Sequence, residues 1–400
     1  MSIQHGVRAN LAQHALLAAN AAFIGAMVGV ERTVVPLLAS DVFGIASTTL
    51  VLSFIAGFGS TKALANLVSG RLADRFGRRH LLVGGWLLGL PVPLLLMLAP
   101  TWGWVVGANL LLGAQQGLTW TMTLAMMGDL AGRRRRGLVM GANEFAGYVA
   151  IGVATWLTGQ IAAAHGLRQA PFWLGVAAAV AGLATAVMVR DTLPHANGQA
   201  SRAAPDLGAS HRAVCYQAGL VTKVNDAGVW GLLPLLLEQR GLDIAAIATV
   251  AAAYPLVWGI GQLVTGGLSD RLGRRPLIVT GMFAQAGGLA LLVGAHSFGA
   301  AMVAAGVLGG GTALVYPTLL AAVGDGARRG RSGSALGTYR FWRDLGFVVG
   351  ALGVGALADL AGIPAAVAGT AGGSLASGLL LAWGLRETVV TPPSSVPLRA

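Results

Sequence analysis

The sequence predicts an all-α membrane protein, with twelve transmembrane helices in two six-helix bundles related by a parallel repeat. Three observations carry this expectation. Of 400 residues, 55% are hydrophobic and only 10% are charged, against roughly 25% charged in soluble domains; the mean hydropathy is +0.70. A soluble chain of this size would need far more polar surface. Apolar runs of about 20 residues, the length that spans a bilayer, recur from one end to the other. Finally, SGRLADRFGRRHLL at 69–82 returns as TGGLSDRLGRRPLI at 265–278. Gly70, Leu72, Asp74, Arg75, Gly77, Arg78 and Arg79 become Gly266, Leu268, Asp270, Arg271, Gly273, Arg274 and Arg275, each 196 residues on (270 − 74 = 196).

In order, the apolar runs fall near 14–38, 47–69, 81–99, 103–128, 138–161 and 171–189, then 214–237, 244–267, 276–295, 298–322, 333–357 and 364–385. The first carries Glu31, Arg32 and Pro36. The second holds Lys62 and runs into the first copy of the motif, after which the third begins. Trp102 and Trp104 open the fourth as an interfacial belt, and Asp129 closes it. GRRRRG at 132–137 leads into the fifth, and the sixth ends at the polar stretch 191–212. The second half repeats the plan. Its first run carries Lys223, Asp226 and Pro234, the next ends in the second motif copy, and Asp325 and the Arg-rich 327–331 precede TYRFWRDLG.

An even number of crossings puts both termini on one side. Short loops rich in Arg alternate with loops that lack it, so the positive-inside rule makes the Arg-rich loops and both termini cytoplasmic. The domains expected are therefore 1–190, a cytoplasmic linker at 191–213 rich in Ala, Ser, Pro and Gly, and 214–400. The offset extends beyond the motif: Asn66 maps to Gln262, Asp129 to Asp325, Gly137 to Gly333 and Gly141 to Gly337, while Pro36 and Pro234 match with a two-residue slip. Parallel repeats of this kind mark secondary transporters.

Composition also excludes function classes. The formal charge of +12 lies in clusters between apolar runs and not on one basic face, which excludes a nucleic-acid partner. Cys215 is single, so neither a disulfide framework nor a cysteine metal site is expected. The seven histidines lie mostly in tails and loops without ligand spacing. No phosphate-binding loop occurs, and the N-terminus has no removable signal peptide. No metal, cofactor or enzymatic activity is expected.

With its paired G-x-L-x-D-R-x-G-R-R motifs, the chain resembles the major facilitator superfamily along essentially its whole length, and more loosely the bacterial drug- and sugar-efflux members. The resemblance implies two six-helix bundles rocking about a central cavity in a bacterial inner membrane. It also implies secondary transport of a small solute, with protons as the expected coupling ion, efflux as the expected direction and a monomer as the expected state. Two positions depart from the efflux branch. Asn109 stands where that branch usually has Arg, and Gly147 is followed by Tyr148 where it has Pro. Both weigh against drug antiport. The alternatives are uptake or facilitated passage of a small organic anion, or a non-transporting receptor.

Within the resemblance, the motif is expected to act as a cytoplasmic gate. Gly70, Asp74, Arg75, Gly77, Arg78, Arg79 and Asp129 would form one latch, and Asp270, Arg271, Gly273, Arg274, Arg275 and Asp325 the other. Gly70 would let neighbouring helices approach, and Asp129 would accept from the loop arginines. The plainer reading is a topology signal, but that needs no fixed Gly and Asp.

Ionisable residues inside spans cost roughly 2.5–3.5 kcal/mol each and are functional candidates. The set is Glu31, Arg32, Lys62, Glu144, Lys223, Asn225, Asp226, Arg340, Arg343 and Asp344. Helical rise of about 1.5 Å per residue places Asp226, Arg343 and Asp344 near the midplane. Arg340, Arg343 and Asp344 share a helix face, as do Lys223 and Asp226. Glu31 and Arg32 point about 100° apart. Lys62 needs a carboxylate, and Asp344 is its expected partner across the halves. Asp226 is the expected proton carrier. The alternative is a set of structural ion pairs with no role in transport.

Overall fold

The computed structural model describes residues 6–131, 136–193, 208–325 and 332–388. Of the linker expected at 191–213, residues 194–207 lie outside the described residues, as do the Arg runs at 132–135 and 327–331, while 208–213 are helical. Among those described, the chain is helical throughout, without strands: α1 (Leu11–Asp41), α2 (Thr48–Val51), α3 (Ser53–Phe76), α4 (Arg78–Gly89), α5 (Val92–Leu98), α6 (Trp102–Ala131), α7 (Arg136–His165) and α8 (Phe172–Met188), then α9 (Gly208–Gln239), α10 (Ile244–Leu272), α11 (Arg274–Val293), α12 (Phe298–Asp325), α13 (Ser332–Ala361) and α14 (Ile363–Gly384). Nine stretches among the described residues are long and apolar enough to cross a bilayer. Three of the longer helices fall outside that count: α3, with the polar Lys62, Asn66, Arg71 and Asp74, α6, with Asn109, Gln115 and Gln116 inside its apolar run, and α8, which is 17 residues long.

Two predicted runs differ from the observed helices. The run at 47–69 is a short turn, α2, followed by α3, which continues through the motif to Phe76. The run at 81–99 starts earlier, at Arg78, and is interrupted at Leu90–Pro91 between α4 and α5, where Pro91 has no N–H to donate to the preceding turn, although Leu90 itself keeps helical dihedrals of φ −57° and ψ −43°.

Small residues set the helix crossings, as they do where lipid removes the hydrophobic drive for association. Gly25 and Gly29 of α1 lie against Gly147 and Ile151 of α7, leaving no room for a Cβ. In the second half, Gly346 and Gly350 of α13 meet Leu220 and Val224 of α9 in the same manner. Between the halves, α3 packs on α13 and α7 packs on α10. Exchanging the halves turns one of these contacts into the other. Trp102, expected at an interface, is instead buried: its Nε1 donates to Leu50 O at 2.9 Å and its ring meets Phe43 and Phe54 edge-on. Trp104 is exposed.

At the end of the bundle near residue 48, the halves are tied together. Asp359 of α13 accepts from Ser47 Oγ, Thr49 N and Thr49 Oγ1 at 2.9, 3.0 and 2.6 Å, and also from Thr48 N. Gln160 of α7 donates to Ala245 O of α10 at 3.2 Å, a second link between the halves. At the Arg-rich end, Gly70, Gly137, Gly141 and Gly337 have nothing within 4 Å of a would-be Cβ. The expected close approach at Gly70 is therefore absent, since no neighbouring helix reaches it.

Candidate functional site

Polar side chains converge where the two halves meet. Arg32 on α1 donates to Asp226 Oδ1 on α9 at 2.7 Å, and Lys223, one turn before Asp226, donates to Oδ2 at 2.7 Å. All three are buried. One carboxylate thus serves two cations from opposite halves. Arg32 also lies over the Trp230 ring, 5.2 Å from its centroid, and Lys223 over Trp258 at 4.7 Å and Phe347 at 4.9 Å.

A second bridge joins α3 to α13. Asp344 accepts from Arg343 Nη2 at 2.6 Å and from Asn66 Nδ2 at 2.5 Å. Arg343 also donates to the Tyr316 hydroxyl at 2.8 Å. Asn66 in turn accepts from Thr121 Oγ1 at 2.8 Å, and Arg340 donates to the same hydroxyl at 3.2 Å. The expected Lys62–Asp344 pair does not form. The helices meet as expected, but the residue that reaches Asp344 is Asn66, one turn along α3. Lys62 lies instead among rings, 5.0 Å from the Phe58 centroid and 5.6 Å from those of Trp120 and Phe347.

The remaining candidates separate. Glu144 accepts from Trp120 Nε1 at 2.9 Å and keeps Oε2 without a hydrogen-bond partner. Glu31 is fully buried, and neither oxygen meets hydrogen-bond criteria among the described residues; Asn109 is its polar neighbour. Asn225 does not face this centre. It donates to Gln285 at 2.6 Å and accepts from Ser374 at 2.9 Å, binding α9 to α11 and α14.

The motif residues make two matching clusters at the Arg-rich end. Arg78 pairs with Asp129, which also accepts from Thr192 Oγ1 at 2.8 Å. Asp191 accepts from Arg79 N at 3.0 Å and covers Gly77, whose φ of +86° only glycine adopts readily. In the second copy, Arg274 pairs with Asp325 at 3.3 Å and with Asp270 at 2.7 Å, and Thr388 donates to Asp325 at 3.0 Å. Glu387 accepts from the Arg274 and Arg275 amides at 2.9 and 3.0 Å and covers Gly273, with φ +96°. Arg79 and Arg275 donate to the carbonyls of Val187 and Ala382.

Every bond described for these clusters lies within one half, and the loop arginine expected to donate to Asp129 is Arg78. Asp74, Arg71, Arg75 and Arg271 are exposed, and Asp74 makes no ion pair among the described residues. The sequence reasoning missed Asp191, Thr192, Glu387 and Thr388. The signal was present, since Asp191-Thr192 recurs as Glu387-Thr388 at the same 196-residue offset.

A family model described as the Major Facilitator Superfamily matches residues 17–222 and again 215–400. The chain belongs to the Major Facilitator Superfamily. Among curated members it is 29% identical over 256 residues to the "Probable 4-methylmuconolactone transporter" of Cupriavidus pinatubonensis, covering 60% of this chain and 56% of that one. It is 30% identical over 268 residues to the "3-(3-hydroxy-phenyl)propionate transporter" of Escherichia coli, covering 62% and 64%. Thus the matches span less than two thirds of either relative. Among solved structures, the human organic anion transporter MFSD10 superposes with a TM-score of 0.67 at 17% identity, covering 91% of this chain and 99% of that one. A point mutant of the nucleoside transporter NupG gives 0.76 at 11% identity, covering 94% and 100%. These two share the fold. As a superfamily member, the chain is a multi-pass membrane protein of a transporter family and not an enzyme.

Proposed function

We propose that this superfamily member moves a small organic solute across a bilayer by alternating access, through twelve crossings arranged as two six-helix bundles, 1–190 and 214–400. The observation that carries this reading is the paired bridge between halves, Arg32–Asp226–Lys223 and Asn66–Asp344. Buried charges in a membrane protein are expensive and belong to pathways, and these lie where a rocking motion would make and break them. The names of the two curated relatives support an organic solute.

Protons are the proposed coupling ion, and Glu31 replaces Asp226 as the proposed carrier. Asp226 is held by two cations, whereas Glu31 has no ion pair among the described residues. A buried carboxyl without a counter-charge is tolerated when neutral and costly when ionised, so its proton state can follow the opening of the site. The cytoplasmic placement of the Arg-rich end, the inner-membrane location and the monomeric state belong to the same proposal.

The test uses purified chain in vesicles with an imposed pH gradient and a panel of small organic acids. Accumulation driven by the gradient, with the direction read from its sign, supports proton coupling and separates efflux from uptake. Glu31→Gln should abolish that accumulation and keep counterflow exchange, which needs no net proton movement. Gradient-driven accumulation that survives in Glu31→Gln rules Glu31 out.

A further inference from the structure

The charges at the centre do not balance pair by pair. Arg32 and Lys223 share Asp226, and Arg343 takes Asp344. Lys62 is left with no ion pair and no hydrogen bond among the described residues. An ammonium removed from bulk water needs an anion or several acceptors, and ring faces satisfy it only in part. Phe58 and Phe347 beneath it are buried, while Lys62 and Trp120 keep partial exposure. The unpaired cation and one large ring, 5.6 Å from ammonium to centroid, are thus both partly exposed, and the Lys223 ammonium lies 4.9 Å from the Phe347 centroid.

From this geometry we infer that Lys62 binds the carboxylate of a ring-bearing organic acid, with Trp120 as the platform for the ring. The class follows from the two groups. A compact ammonium with three donors takes a carboxylate oxygen, and an indole face takes an aromatic ring in offset or edge-on contact. A carboxylate arriving here also supplies the counter-charge that Lys62 lacks, so occupancy removes an electrostatic cost from the centre. Lys223 adds long-range attraction without releasing Asp226. Ring-bearing amines are disfavoured beside Lys62 because the two cations repel each other. This inference deepens the transporter reading and rests on it for its location between the halves.

The experiment is calorimetric titration of the purified full chain with four probes: phenylacetate, phenylacetamide, hexanoate and phenethylamine. Phenylacetate should bind about tenfold or more tighter than either phenylacetamide, which lacks the charge, or hexanoate, which lacks the ring; about 1.4 kcal/mol corresponds to each tenfold. Phenethylamine should not compete. Lys62→Met should lose that discrimination against phenylacetamide, Lys62→Arg should keep it, and Trp120→Leu should lose the preference over hexanoate. Equal binding of the amide and the acid by the unaltered chain, no binding of phenylacetate up to its solubility limit, or unchanged affinity in Lys62→Met would each overturn the proposal. The first two outcomes need no variant to fold. Counterflow of the same probes in vesicles separates the two readings. Acid-selective binding without counterflow sinks transport and leaves this site standing. Counterflow with no preference for the acid does the reverse.

Discussion

Asp226 provides the sharpest test of the ionic bridge, because removing its charge strands two buried cations at once. Arg32 and Lys223 both lie at 2.7 Å from its oxygens, and all three side chains are at most 4% exposed. Breaking a buried pair by deleting one partner costs about 3–5 kcal/mol. An unfolding entropy of roughly 2.1 cal/mol/K per residue, applied to 400 residues, gives about 0.8 kcal/mol/K, so Asp226→Asn should lower the melting midpoint by about 4–6 °C. The chain carries its own reporter. Cys215 is its one cysteine and has 0% exposure, so a thiol-reactive dye fluoresces only on unfolding. Removing all three charges with Arg32→Met, Lys223→Met and Asp226→Leu should recover most of the loss, since apolar groups of similar size need no counter-charge. A midpoint for Asp226→Asn equal to that of the unaltered chain, or a triple variant no more stable than Asp226→Asn, would refute the reasoning.

Three further outcomes are expected. Asp129→Asn should cost about 1–3 kcal/mol in the same melt, because Arg78 loses its buried counter-charge and the neutral amide leaves one acceptor oxygen for Arg78 and Thr192; Asp325→Asn should cost less, since Asp325 is 38% exposed and Arg274 keeps Asp270. An equal cost in both would contradict the burial argument. Gly25→Leu should destabilise by about 1–3 kcal/mol or more through overpacking against Gly147, and a neutral result would show that α1 and α7 separate easily. Asp359→Ala removes the acceptor for the 47–49 turn. In a Cys215→Ser, Phe54→Cys background it should speed labelling of the buried thiol introduced at position 54 by a membrane-impermeant maleimide, and unchanged labelling would deny this contact a gating role.

Much of the helical plan was legible because apolar run length and Arg clustering are properties of the chain alone. The repeat offset even located the two matching hairpins around Gly77 and Gly273. Side-chain partners were less legible. Lys62 and Asn66 lie one turn apart on α3, and which of them reaches Asp344 depends on the register of α3 against α13, set by Gly59 packing on Phe347. Asn225 sits beside Asp226 in sequence, yet points about 100° away and into its own half. The break at Pro91 was readable in principle, but an apolar run conceals it when only length is scored.

Duplication gives this protein an axis of approximate twofold symmetry, and its centre departs from that symmetry in a regular way. Lys62 and Trp258 are 196 residues apart, as are Tyr148 and Asp344; Arg32 and Trp230 are separated by 198, the same slip as Pro36 and Pro234. In each pair one copy holds a charge and the other an aromatic ring, and Arg32 lies directly over its own counterpart, Trp230. A symmetric centre would present the same chemistry to a solute and to that solute turned end over end. This one does not, so it imposes a polarity across the bundle: because the axis relating parallel repeats runs along the membrane normal, a molecule with a charged end and a flat end has one lateral orientation that fits, and the same molecule turned about that axis does not.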